Sequence, residues 1–357
     1  AVGRSALLAT TTGPENVAVG SGALDSNTTG ANNIAVGMAT MQANTTGSNN
    51  AALGSGALYN NITGHSNVAV GFNALVSDTK GNKNTAIGQG ALGTQNFTSD
   101  TDSFNTAVGA GAGTAVTTAT NNTFIGGLSG DAVTTGASNT FVGQASGSST
   151  TTGAQNVAVG EGALFTNTTA SNNTAIGRDA MYRNTTGANN TVLGHSAGKE
   201  VTTGIQNTLI GALAGDALVA AADNVAVGYS ALSTETGGQN NVAIGRQSLT
   251  AQVNSSGNIY NTAVGAAAGQ AVTTGATNTL IGGLSGDNIT SGGANVLFGY
   301  GTDANDGTAD SQHGFGYSLN CASGYTTLGN AASDIRAAHG NITWATVSDQ
   351  RYKKDIV

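Results

Sequence analysis

The stretch NNTAIGRDAMYRNTTGANNTVLG (residues 172–194) contains one pentad twice. Asn173-Thr174-Ala175-Ile176-Gly177 returns seventeen residues later as Asn190-Thr191-Val192-Leu193-Gly194. The closing glycine recurs from Gly3, Gly20 and Gly37 to Gly282 and Gly299, and fifteen of the seventeen intervals have this same length. The other two are longer, one by four positions (Gly88 to Gly109) and one by three (Gly245 to Gly265). A short fixed period over most of a chain is the signature of a solenoid, in which each unit buries its apolar face only by stacking on its neighbours.

The chain has 55 glycines, one proline and 8% charged residues. Such a composition in random order implies disorder, but here the glycines hold a phase. Collagen is excluded because glycine does not recur every third residue. The single cysteine, Cys321, rules out an intrachain disulfide framework. A net charge of −8 with thinly spread basic residues argues against nucleic acid as a partner. No apolar run approaches the length of a membrane span, so no membrane insertion is expected. The chain opens mid-pentad at Ala1-Val2-Gly3, so a preceding segment is expected.

We number each coil from its closing glycine. Position −4 is Asn in every complete repeat from Asn16 to Asn295, and −1 is Val, Ile or Leu, with Phe298 the one aromatic. Position −3 is mostly Val or Thr, and −2 is Ala or a bulkier apolar residue such as Phe124, Phe141 or Leu209. Side chains alternate along a strand, so −1 and −3 share one face and −2 the other. Apolar residues on both faces predict a strand covered on both sides. A single solenoid has one interior, and the second cover is most simply another copy of the chain.

After the closing glycine, small residues (SGALDS, residues 21–26) predict a second strand. Thr-Thr-Gly followed by Asn predicts a turn. No 3.6-residue apolar stripe appears, so helix is not expected before about residue 330. Side-chain volumes also exchange within a coil. Where −2 is Ala, +4 is Leu or Met, as in Ala175 with Met181; where −2 is bulky, +4 is Gly, as in Phe124 with Gly130 and Leu209 with Gly215. Close-packed interiors require this. The coils closed by Gly109 and Gly265 combine Ala with Gly and look underfilled, and Phe104 and Tyr260 are expected to fill or cover that gap.

The pentads NVAVG and NTAIG and the longer NNVAIG resemble the head repeat of trimeric autotransporter adhesins, and also repeats of phage tail fibres and similar surface fibres. The family repeat is shorter, near fourteen residues, so the coil here departs from it. The resemblance implies an all-β, left-handed parallel β-roll (a solenoid of 17-residue coils) over residues 1–299, built as a homotrimeric fibre. At the other end, TWATVSDQRYKKDIV (residues 343–357) resembles the opening of the peptidase S74 type intramolecular chaperone of endosialidases and tail fibres. Ser348, Asp349, Arg351 and Lys353 match its Ser-Asp-x-Arg-x-Lys motif. The resemblance implies self-cleavage between Val347 and Ser348, with Ser348 as nucleophile and Lys353 as its base. A serine activated by an amine of lowered pKa is sound chemistry. Tyr352 stands where the family commonly has Leu. Residues 348–357 are then a truncated chaperone start, and residues 300–347 a neck or cap in which Trp344 packs.

The Asn and Gly ladders, including Asn173, Asn190, Gly177 and Gly194, are expected to be structural, with stacked Asn side chains satisfying turn backbone. Asp303, Asp306 and Asp310 do not match a calcium loop and are assigned to a polar loop. His65, His195, His313 and His339 lack ligand spacing, so no metal is expected. Gly109–Gly113 mimics a phosphate loop without the following Lys, so no cofactor is expected either. The Asn-x-Thr sequons at Asn27 and Asn44 are glycan acceptors only in a eukaryotic secretory setting. The leading functional expectation is an extracellular structural and adhesive fibre, a virion tail fibre or cell-surface appendage. Its partners are two further copies of itself and a host cell-surface glycan or receptor. The alternative is a bacterial trimeric autotransporter-type adhesin, distinguished by a C-terminal membrane barrel in place of a chaperone. An ice-binding solenoid using the Thr-Thr-Gly threonines is a remote alternative. No paired carboxylates recur at a fixed site, so apart from self-cleavage no enzyme is expected.

Overall fold

The structure, a computed structural model, describes residues 1–331, 333–340 and 345–346. The chain forms two compact units, residues 1–186 and 187–357. Each is a parallel β-solenoid, and the described residues contain no helix.

In the first unit, three-residue strands such as Val17–Val19, Ile34–Val36 and Ala51–Leu53 occupy positions −3 to −1 and pair in parallel. Each residue faces its equivalent one coil on, Val17 opposite Ile34 and Ala18 opposite Ala35. The register survives the longer interval between Gly88 and Gly109, where Thr85 faces Thr106 and Ala86 faces Ala107. The second unit repeats the scheme from Thr191–Leu193 onward and keeps register across its own longer interval, Val242 opposite Thr262. Position −2 is the interior: Ala18, Ala35, Phe124, Ala175, Leu209 and Leu280 have no exposed surface. Positions −1 and −3 point out. Val17, Ile34 and Leu53 remain about half exposed, at 48%, 50% and 51%. Within one chain the strand is therefore covered on one side only.

The second strand expected after the closing glycine does not form. Residues +1 to +7 make a run of turns in which φ is positive at +2 and +4, as at Gly22 (74°) and Leu24 (51°). Residues of opposite backbone hand alternate here, which no strand permits, yet the amides still point along the ladder. Leu24 N–H donates to the Thr40 carbonyl at 3.1 Å, and Ala39 N–H to the Ser21 carbonyl at 2.8 Å. A left-handed residue other than glycine costs about 1–2 kcal/mol. Complete burial of Leu24, Leu58 and Leu75 stabilises by a comparable ~1.5–3 kcal/mol each. The closing glycine cannot be replaced in this way. Gly54 has φ 133°, and a Cβ on it would lie 2.5 Å from the Gly71 carbonyl oxygen of the next coil.

The volume exchange is visible in the core. A Cβ on Gly130 would lie 2.5 Å from Phe124 Cε1, and one on Gly215 would lie 2.8 Å from Leu209 Cδ2. The two coils that looked underfilled are filled along the axis. Phe124 and Leu92 come within 2.8 and 3.0 Å of a Cβ on Gly113, and Leu280 and Leu249 within 2.7 and 2.9 Å of one on Gly269. Phe104 and Tyr260 take no part in this, and each stays about half exposed. The interior is continuous, so the space at these two glycines is filled by side chains of the adjacent coils.

The ladder also runs on past residue 299, where the period breaks. His313–Tyr317 pairs in parallel with Val296–Phe298 at the same seventeen-residue offset, and Tyr325–Asn330 pairs in parallel with His313–Tyr317. Gln312 takes the ladder position, its N–H donating to Asn295 Oδ1 at 2.8 Å. Ser333–Ala338 then folds back antiparallel on Tyr325–Asn330 and ends the parallel stack. The backbone of Ala345–Thr346 pairs with Ile335 and Arg336.

Candidate functional site

Four features distinguish the surface and the ladders from plain coil packing. The first is the outward strand face. In unit 1 it carries Val19, Leu53, Ile87 and Ile125 at −1, each between 38% and 51% exposed, beside Val17, Ala51, Thr85 and Thr123 at −3. A contiguous apolar stripe of this kind on a folded surface marks an interaction face.

The second is the Asn ladder, which the structure places inside. Asn173 and Asn190 are buried. Asn156 Oδ1 accepts from the Asn173 backbone N–H at 3.0 Å. In the second unit, Asn190 Nδ2 donates to the Gly204 carbonyl at 2.9 Å while Asn190 Oδ1 accepts from the Asn207 N–H at 2.9 Å. Gly177 and Gly194 hold φ at 132° and 145°. These side chains are committed to backbone between coils. The same holds for the first threonine of Thr-Thr-Gly: the Thr28 hydroxyl donates to the Thr45 carbonyl at 3.0 Å and the Thr134 hydroxyl to the Thr151 carbonyl at 3.1 Å. The donor proton of each of those hydroxyls is committed to the ladder. Asn27 and Asn44 form a second buried ladder, joined at 2.8 Å, so neither sequon is accessible in the folded chain.

The third feature was not anticipated. Just before each long interval, a carboxylate replaces the second-ladder residue at +7. Asp78 accepts from Gln95 Nε2 at 2.6 Å and from the N–H groups of Gly81 and Phe97 at 3.0 and 3.2 Å. Glu235 accepts from Gln252 Nε2 at 2.7 Å and from the N–H groups of Thr236, Gly237, Gly238 and Asn254 at 2.8–3.1 Å. In both coils the glutamine then accepts from the ladder asparagine, Asn105 or Asn261, at 2.9 Å. The acid gathers the donors that the inserted residues leave without a ladder partner. Burial pushes the Asp78 carboxyl above its ordinary value, against the pull of its donors. The signal was present in the sequence as an acid at +7, which among the coils opened by Gly3 to Gly282 occurs only in these two.

The fourth lies at the end of unit 2, where Phe298-Gly299-Tyr300 returns one coil later as Phe315-Gly316-Tyr317. Phe298 stacks on Phe315 with centroids 5.3 Å apart, and Tyr300 on Tyr317 at 5.7 Å. On unit 1, a shallow cleft of about 520 Å³ opens where the +1 residues Ala110 and Gly127 are small, between Gln89 and Gln144, with Leu128 in its lining.

The acidic stretch 303–310 does not converge. Asp306 accepts from Thr308, and Asp310 accepts from the Gly293 N–H. Asp303 is buried, accepting from the N–H groups of Asn288 and Ala304. Burial and a hydrogen bond shared with Asp287 push its carboxyl up to about 7. Among the described residues no group of three His, Cys, Asp or Glu side chains is placed to hold a metal ion. Among them also, no helix is long and apolar enough to cross a membrane. Trp344, Val347, Ser348 and Lys353 lie outside the described residues.

No protein-family model matches the chain, and neither a curated protein nor a solved structure is significantly similar to it. The fold defines a repetitive parallel β-solenoid with 17-residue coils.

Proposed function

We propose that this chain is the structural and adhesive shaft of a homotrimeric extracellular fibre, a phage tail fibre or comparable surface appendage. Its residues 348–357 open a self-cleaving chaperone in which Ser348 is the nucleophile and Lys353 the base. The observation that supports this most is the outward apolar stripe, which has no cover among the described residues. Two further copies supply that cover in the simplest way, because a periodic apolar strip is matched along its whole length by a strip of the same period. Burial of each half-exposed Val, Ile or Leu contributes on the order of 1 kcal/mol, and the contribution adds along the coils. Trimerisation also multiplies weak receptor contacts into avidity.

Sedimentation equilibrium of the purified chain tests the proposal, with Ile125→Asp as the comparison. The parent is expected as a trimer and the variant as a folded monomer, since a carboxylate at −1 is solvated on a lone chain and desolvated in the trimer. A parent that sediments as a well-folded monomer refutes the reading.

A further inference from the structure

We infer that Phe104 of one copy docks into the cleft over Ala110 and Gly127 of the next, so that each copy lends a ring to its neighbour around the fibre axis. The inference rests on the fibre reading, of which it names the contact and its register. The chain crosses the outward strand face from −5 to +1, so these two rows form the edges of that face. Position −5 is aromatic in two complete coils only, at Phe104 and Tyr260. Those are also the coils in which +1 is Ala and the +1 residue of the next coil is Gly: Ala110 with Gly127, and Ala266 with Gly283. A protrusion on one edge thus accompanies a recess on the other, once in each unit.

The structure holds the ring out and leaves the recess open. Phe104 is 50% exposed. Lys83 Nζ lies 5.0 Å over its ring and is itself paired with Asp102 at 2.6 Å. Asp102 belongs to the inserted segment, whose Thr101–Asp102 strand pairs with Gly81–Asn82. The insertion therefore braces the ring on the surface. On the other edge, a Cβ on Gly127 would meet only the Ala110 carbonyl oxygen, at 3.9 Å, and one on Gly90 would meet nothing within 4 Å. Leu128, half exposed, gives the cleft an apolar wall. In unit 2, Tyr260 is likewise half exposed, and Leu284 follows Gly283 as Leu128 follows Gly127.

Symmetry selects the occupant. Rotation about an axis parallel to the stack of coils keeps every residue at its own height. Three copies that turn the same face toward that axis set the −5 edge of each beside the +1 edge of the next. Phe104 then comes level with Ala110, six residues on in the same coil. The face between the edges is large enough to hold copies together. Unit 1 has ten three-residue strands, each with two outward side chains. At roughly 30–60 Å² apiece these offer about 600–1,200 Å², against ~800 Å² per partner in a stable interface.

Oxidative cross-linking of the full chain tests this with Phe104→Cys/Ala110→Cys. The strand between the two positions alone spans about 10 Å, beyond the roughly 7 Å that a disulfide permits, so a bond between them joins two copies. A covalent trimer is expected on a non-reducing denaturing gel, at least tenfold more abundant than from Thr46→Cys/Ala110→Cys, whose first position lies off both edges. Cys321 is buried and common to both. Ala110→Trp is expected to raise the trimer dissociation constant tenfold or more, and adding Phe104→Ala to restore most of that loss. A parent that sediments as a trimer while the cysteine pair yields no covalent trimer overturns this contact and leaves the fibre reading standing. An Ala110→Trp variant that associates as tightly as the parent does the same. A parent that sediments as a folded monomer refutes both.

Discussion

Replacing Asn67 by Ala isolates the energetic role of the inner ladder. Asn67 is completely buried and links three coils. Its Oδ1 accepts from the Asn84 N–H at 2.9 Å and from Asn84 Nδ2 at 3.1 Å, and its Nδ2 donates to the Gly81 carbonyl at 2.9 Å. Ala removes both ends of this bracket and leaves those groups of Asn84 and Gly81 buried without partners. Each of these three groups costs about 1–3 kcal/mol, so an apparent loss of about 3–9 kcal/mol is expected. Because coils touch only their neighbours, the loss falls on unit 1 around residues 67–84 and spreads by nearest-neighbour coupling. Guanidinium denaturation followed by circular dichroism gives the magnitude, and hydrogen exchange read by mass spectrometry gives the location. Thr46→Ala, at an exposed position, is the control and should change stability by no more than about 0.5 kcal/mol. A loss below about 1 kcal/mol for Asn67→Ala would refute the claim that the ladder holds the coils together.

Phe124→Ala should cost about 3–5 kcal/mol in denaturant titrations, since that ring fills the space above both Gly113 and Gly130; a loss under half of that would contradict the continuous core. Asp303 gives a pH dependence whose sign follows from its raised carboxyl, about 7 against an ordinary 3.8. The folded state holds a proton that the unfolded state has released, so this contribution is fully present below about pH 4 and is lost as pH rises through 7. Protection of residues 287–321 from hydrogen exchange should therefore fall between pH 5 and pH 8, and Asp303→Asn should flatten the slope; a parent slope of opposite sign rejects the assignment. Finally, chain extended by a complete chaperone is expected to be cut once, between Val347 and Ser348, and Ser348→Ala to remain uncut. Intact-mass measurement decides this, and a terminus elsewhere removes the proposed roles of Ser348 and Lys353.

The local periodicity was enough to determine the coil. A closing glycine whose positive φ and close neighbour tolerate no Cβ, an asparagine four residues earlier and a two-sided strand between them appear in the sequence because each is a requirement on one residue type. The pairing of bulky −2 with Gly at +4 was legible for the same reason, since within one coil only one side chain can fill that space. Three things were decided by the tertiary structure. Residues +1 to +7 contain small and apolar residues as a strand does, yet they turn, because alternating backbone hand closes the coil and burial of Leu24 and its equivalents offsets the strain. The gaps at Gly113 and Gly269 are filled from adjacent coils, a contact at a separation set by the stacking. Asp78 and Glu235 sat unremarked among polar residues until the fold brought together the donors freed by each insertion, because a carboxylate's partners are fixed by three-dimensional neighbours rather than by sequence.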